Sequence, residues 1–252
     1  MSGAFIRRVS HCLPNDVQVW SVDLDGYAGS VALEGLDVQE HARATRMAFP
    51  RDARRLLASR HALRRVLAGV LGRPRESLVF ETGEFGKPGL VNGRPLHFNL
   101  SRSGPVAVIG VSSQLAVGVD IEVLRPVIDA NTLARAHFTD EEFREWSRSD
   151  DPARDRTFLT IWTCKEACVK ALGVGLSARP GSIHVGATAR VRAAAVPLGE
   201  ARCEVSVWPL PLPGEWVAAV AAAAPEAVEV ALQFFRGSLT PPWVAPVEPA
   251  RN

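Results

Sequence analysis

The order of helix-like and strand-like segments predicts an α+β protein. It has two similar halves related by a pseudo-two-fold axis, each a small, mainly antiparallel sheet packed with a long helix. Three observations predict it. First, Leu56, Leu57, Leu63, Val66, Leu67 and Val70 recur at helical spacing through 51–71, and a second helical stretch covers about 155–172. Second, each stretch stops at a glycine, Gly72 or Gly173, and short strand-like runs follow. Third, the halves superpose: SRHALRRVLAG at Ser59 falls on CKEACVKALGV at Cys164, a shift of 105 residues, and at that shift SLVF falls on SIHV. A duplicated α+β layout places a cleft between its halves, a common position for a ligand. The halves are assigned to 1–114 and 115–236, with an irregular proline-rich tail at 237–252.

In chain order, VQVWSVDL (17–24) reads as a strand, and LDVQEHARATRMAF as a polar helix capped by Asp37. The long helix of 51–71 follows. Next come strands SLVFET (77–82), LHFNLS (96–101), PVAVIGVS (105–112) and LAVGVDIE (115–122). The second half repeats the order. After the segment VLRPVIDANTLARAH, FTDEEFREW opens a helix with Thr139 and Glu142 at capping-box spacing. The helix of 155–172 and strands SIHVGA, RVRAAAV, CEVSVWPL, EWVAAVAAA and VALQFF complete it.

Composition excludes several classes. Hydrophobic residues make up 47% and charged residues 22% of 252, an ordinary globular balance, and the net charge of +2 gives no case for nucleic-acid binding. No apolar run reaches the roughly 18 residues of a membrane span. The N-terminal MSGAFIRRVSHCLPND lacks a long apolar core, so a cytoplasmic protein is expected. Cys12, Cys164, Cys168 and Cys203 form no CxxC pair and read as buried thiols. Only three of 29 basic residues are lysine: Lys87, Lys165 and Lys170. In so arginine-biased a chain, they mark places that need a compact ammonium rather than a planar fork.

Three stretches carry candidate chemistry. In GVDIE (118–122), Asp120 and Glu122 point to one strand face and repel each other. Solvated acids paired with arginines such as Arg125 account for this spacing as well as a Mg²⁺ site does. In WTCKEACVKALG (162–173), Glu166 and Lys170 are one helical turn apart among apolar residues, so the pair is expected to line a cleft. Glu166 offers a third carboxylate, and Lys165 and Lys170 offer ammonium groups to phosphate. In GEFGKPGLVNGRPLHFNLSRSG (83–104), FGKP is a tight turn and Arg102 a phosphate-binding candidate at a strand end.

Together, FGKP, FNLSRS, GVDIE and WTCKEACVK resemble the 4′-phosphopantetheinyl transferases, in their long, single-chain Sfp-type class with pseudo-symmetric halves. That family's pattern is close to GKP, FNxSHS, G[IV]DIE and W[ST]xKEAxxK, and the likeness covers about 43–176. The resemblance implies Mg²⁺ as cofactor on Asp120, Glu122 and Glu166, and coenzyme A as co-substrate. It makes Glu166 the group activating the acceptor serine, with Asp120 and Lys170 also catalytic. It puts Lys165 and Lys170 near the pyrophosphate, and Gly86, Lys87 and Pro88 at the adenine-side turn. Ser101 matches the motif serine, and Arg43, Arg46 and Arg55 are candidates for the 3′-phosphate. Arg102 stands where the family usually has histidine, so phosphate binding is expected to persist with a flatter pH response.

The implied reaction moves 4′-phosphopantetheine from coenzyme A to a serine of an apo acyl or peptidyl carrier protein. The segment 123–137, with Leu124, Val127, Ile128 and Leu133 among Arg125 and Arg135, is expected to help dock the carrier; a plain connecting loop is the other reading. The duplication points to a monomer. Two rival readings are a non-catalytic coenzyme A or carrier-binding module, and another Mg²⁺-dependent phosphoryl-transfer enzyme.

Overall fold

A computed structural model of the chain describes residues 5–9, 13, 16–91, 96–175, 179–187, 192–198, 201–224 and 226–228. The N-terminal half contains β1 (Ile6–Arg8), β2 (Gln18–Asp23), α1 (Leu24–Ser30), α2 (Val38–Ala44) and α3 (Pro50–Leu71). It continues with the hairpin β3 (Phe80–Thr82) and β4 (Pro88–Leu90), then β5 (His97–Ser103) and β6 (Val106–Ser112). The C-terminal half contains β7 (Ala116–Val123), α4 (Ala130–His137), α5 (Asp140–Ser147), α6 (Asp151–Leu172), β8 (Arg192–Leu198), β9 (Ala201–Leu210) and β10 (Trp216–Ala223). The two large sheets run β1-β2-β6-β5 and β7-β10-β9-β8, with every pairing antiparallel.

Each sheet packs one long helix. Ala62, Leu63 and Leu67 of α3 meet Val22, Phe98 and Ile109, while Phe158, Ile161 and Leu172 of α6 meet Val205, Ala219 and Ala221. Each helix ends at a left-handed glycine, Gly72 at φ 63° and Gly173 at φ 73°. A third apolar cluster joins the halves and includes Val17, Val19 and Val108 with Val117, Val119, Ile121 and Val220.

That shared cluster fixes how β7 faces. Val117, Val119 and Ile121 enter it, so Gly118, Asp120 and Glu122 turn to the opposite face, towards α6. A one-residue slip would forfeit about 1.5–3 kcal/mol for each apolar side chain and bury two carboxylates in its place.

The seam between the sheets is built from side chains. β5 lies beside β7, and among the described residues no backbone ladder joins them. Instead Asn99 Oδ1 accepts from Val119 N at 2.9 Å and Ser103 Oγ accepts from Val123 N at 3.1 Å. Ser101 and Ser103 in turn donate to Asp120 and Glu122. The alternate residues of FNLSRS therefore stitch one half to the carboxylates of the other.

Several expected elements differ. The helices end 101 residues apart, whereas the 3₁₀ turns after them, Arg75–Ser77 and Pro180–Ser182, are 105 apart. Four extra residues thus follow Gly173. Four is close to one helical turn of 3.6, so an ungapped shift of 105 still superposed similar faces. SIHVGA forms no strand: after the 3₁₀ turn, Val185 and Gly186 donate to Glu142 Oε1 at 2.7 and 3.1 Å. The strand expected from Ser77 starts at Phe80. VALQFF, the tail at 237–252 and Cys12 lie outside the described residues; Cys164, Cys168 and Cys203 are buried.

Candidate functional site

The site begins with a close approach. A methyl group added at Gly118 would lie 2.2 Å from Ala167 O and 2.3 Å from Ala171 N. Only a residue without a side chain lets α6 rest directly on β7. That contact brings Lys170 Nζ within 2.6 Å of Asp120 Oδ1, which also accepts from Ser101 Oγ at 2.9 Å. Asp120 is 4% exposed, and its Oδ2 is buried without a hydrogen-bond partner. Glu122 accepts from Ser103 Oγ at 3.1 Å.

These groups line a cleft of about 750 Å³ between the halves. Asp120, Glu122, Glu166 and Lys170 line it together with the FGKP turn. Ser101 and Arg102 border the same space. Gly86 takes φ 83°, which bares the turn's backbone to the cleft.

Burial is the main electrostatic cause at all three acids. It raises Asp120, against the opposing pull of Lys170 and Ser101. It raises Glu122, and the charge of Asp120 adds to the rise. It raises Glu166, with Lys170 opposing and Asp120 and Glu122 adding. Three carboxylates that penalise each other's charge, one with a buried oxygen lacking a partner, suit a hard divalent cation. Among the described residues no three such side chains already converge on a metal position.

Other expected residues sit elsewhere. Lys165 is fully buried and faces away from the cleft: Nζ pairs with Glu142 Oε2 at 2.7 Å and donates to Pro180 O at 2.8 Å and Ile183 O at 2.5 Å. Its counterpart at the 101-residue offset is Arg64, which pairs with Glu40 at 2.9 Å and donates to Leu78 O at 2.9 Å. In both halves the acid is the third residue of a capping box. Lys165 is thus the second copy of a structural clamp rather than a phosphate ligand. Arg55 is likewise engaged away from the cleft, in a bidentate pair with Asp25 at 2.8 and 2.5 Å. Arg43 and Arg46 are exposed near the end of α2. Lys87 borders the cleft, but its ammonium donates to Val117 O at 3.1 Å and Ala171 O at 2.9 Å.

Sequence reasoning missed Arg60, Phe85, His137 and Trp162. Burial lowers the Arg60 guanidinium, with the charges of Glu40 and Asp37 opposing and those of Arg43 and Arg102 adding. Six arginines in α3 gave no basis for choosing it. Phe85, His137 and Trp162 line the cleft, the last two in edge contact at 5.3 Å between centroids. Trp162 carried a signal, since it lies one helical turn before Glu166.

Comparison with known proteins settles the family. The 4′-phosphopantetheinyl transferase HetI of Nostoc sp. is 35% identical over 171 residues, 66% of this chain and 72% of that protein. The chain belongs to the 4′-phosphopantetheinyl transferase superfamily. A sequence profile of that superfamily matches residues 116–221, and one described as 4′-phosphopantetheinyl transferase, N-terminal, matches residues 20–114. The 4′-phosphopantetheinyl transferases psf-1 of Bacillus pumilus and Sfp of Bacillus subtilis are 33% and 28% identical, each over 55% of this chain. Those matches span 58% and 61% of the two relatives. Among the described residues no helix is long and apolar enough to cross a membrane.

Proposed function

We propose that this chain transfers the 4′-phosphopantetheine group of coenzyme A to a serine of an apo acyl or peptidyl carrier protein. The observation that carries it is the cleft itself, lined at once by Asp120, Glu122, Glu166, Lys170 and the FGKP turn. The serine oxygen attacks the phosphorus bearing pantetheine, and the bond to the adenosine-side phosphate breaks. The products are holo carrier protein and adenosine 3′,5′-bisphosphate. Such chemistry needs positioning and charge stabilisation.

Glu166 takes the serine proton. Lys170, released from Asp120 as substrate enters, offsets charge on the departing phosphate. Asp120, Glu122 and Glu166 are the residues that would hold Mg²⁺, which when bound supplies Lewis-acid polarisation of the pyrophosphate. Ser101 and Ser103 hold the two β7 carboxylates in place. Arg102 borders the cleft and, with the exposed Arg43, is the candidate for the 3′-phosphate. The turn at Gly86 and Phe85 suits the adenine.

Of the four apolar candidates in 123–137, Leu124 and Val127 pack against the core, while Ile128, 79% exposed, and Leu133, 37% exposed, support this segment as the carrier's dock. The cleft is complete within one chain, which supports activity as a monomer. Coenzyme A and carrier domains meet in the cytoplasm, where this reading puts the protein. The test is Glu166→Gln. It is expected to cut turnover by about 100-fold or more while coenzyme A affinity stays close to wild type. Wild-type turnover in that variant would remove Glu166 from its role.

A further inference from the structure

Lys87 is the lysine that the transferase reading places beside adenine, and its ammonium is not there. It projects from the turn between β3 and β4 into the opposite half. The turn is closed at its base, with Gly83 N donating to Lys87 O at 2.8 Å and Gly86 N to Gly83 O at 2.9 Å. From that fixed point Nζ reaches Val117 O at 3.1 Å and Ala171 O at 2.9 Å.

Those two acceptors have particular neighbours. Val117 precedes Gly118, the residue on which α6 rests, and lies three before Asp120. Ala171 follows Lys170, and its own amide is one of the two atoms closest to Gly118. Its carbonyl belongs to the last turn of α6, where carbonyls lack helical partners and a cation is favoured. One ammonium therefore straps the crossing of β7 and α6, the contact that sets Asp120 against Lys170. The stem also packs at Gly173, where an added methyl would lie 3.1 Å from Lys87 Cδ.

We propose that Lys87 is a positioning residue for the transferase site: from the β3–β4 turn it clamps β7 to the end of α6 and acts through Asp120 and Lys170, not by contact with the nucleotide. Two carbonyls converging on one point suit a compact ammonium, in keeping with a lysine in a chain of 26 arginines. The clamp rests on the transferase reading only for its consequence in turnover; its geometry stands without it.

The test has two arms. In the first, wild type and Lys87→Met are compared in steady-state transfer to an apo carrier protein. Lys87→Met is expected to lower kcat by about tenfold or more, with the coenzyme A KM within about twofold of wild type. Its Mg²⁺ half-saturation is expected to rise. A raised coenzyme A KM at unchanged kcat, or wild-type kinetics throughout, overturns the proposal. If wild type itself transfers nothing, the transferase reading fails, and the second arm still decides the clamp. There, the native full chain is acetylated briefly and its three lysines are mapped by peptide mass spectrometry. Lys87 is expected to react at least about tenfold more slowly in the native chain than in the same chain unfolded in urea, because its two carbonyl bonds must open first, although burial lowers its pKa to about 8. Labelling of Lys87 as fast in the native as in the unfolded chain overturns the clamp, whether or not Lys87→Met folds.

Discussion

Asp120 holds Lys170 and Ser101 on one carboxylate oxygen and leaves the other buried and without a partner. Its pH behaviour follows. Burial lifts Asp120, Glu122 and Glu166 above their ordinary values, so the folded chain keeps protons that the unfolded chain has released. Stability from these groups therefore falls as pH rises through the lifted range. A cation that replaces those protons reverses the loss, so the rise in Tm on adding Mg²⁺ should be larger at about pH 7.5 than at about pH 5.5. An equal rise at both would count against a metal on these carboxylates. The GVDIE spacing placed both acids on one face but did not choose between a metal and solvated ion pairs. Lys165 was misassigned although its spacing held the answer. It is five residues from Lys170, about 140° around a helix, whereas Glu166 and Lys170 are about 40° apart. Both lysines cannot face one cleft.

At the level of elements, Gly118 is where β7 and α6 touch. Gly118→Ala forces a methyl against two backbone atoms that no rotamer change can move. It should cost about 1–3 kcal/mol or more in urea unfolding, and kcat should drop with it as α6 carries Glu166 and Lys170 away from the carboxylates of β7. Wild-type stability and turnover together would show that the contact is not needed. Helix limits were legible because their signals are local: Asp37 with Glu40 and Thr139 with Glu142 form capping boxes, and Gly72 and Gly173 end the long helices. SIHVGA misled because Ile183 and Val185 are buried in alternation as in a strand. Its backbone donors go instead to Glu142, a residue 43 positions before Val185. Such a distant partner leaves no trace in a local pattern.

Across the whole molecule, the two halves share a plan and differ in charge. Arg64 and Lys165 perform the same clamping task in each, on Leu78 O and Ile183 O. The next residue on each helix is Arg65 in the first half and Glu166 in the second, so the offset that repeats the clamp does not repeat the acid. The duplication was visible in the sequence, and so was the expectation of a cleft between the halves. The stitching of β5 to β7 through Asn99, Ser101 and Ser103 was not, because it pairs side chains with a strand some 20 residues away. The central claim is that this cleft transfers phosphopantetheine. The most direct measurement is the intact mass of apo carrier proteins, acyl and peptidyl, after incubation with the chain, coenzyme A and Mg²⁺. The predicted result is a gain of one phosphopantetheine on the carrier serine, lost with Glu166→Gln; no gain on any carrier of the panel would contradict it.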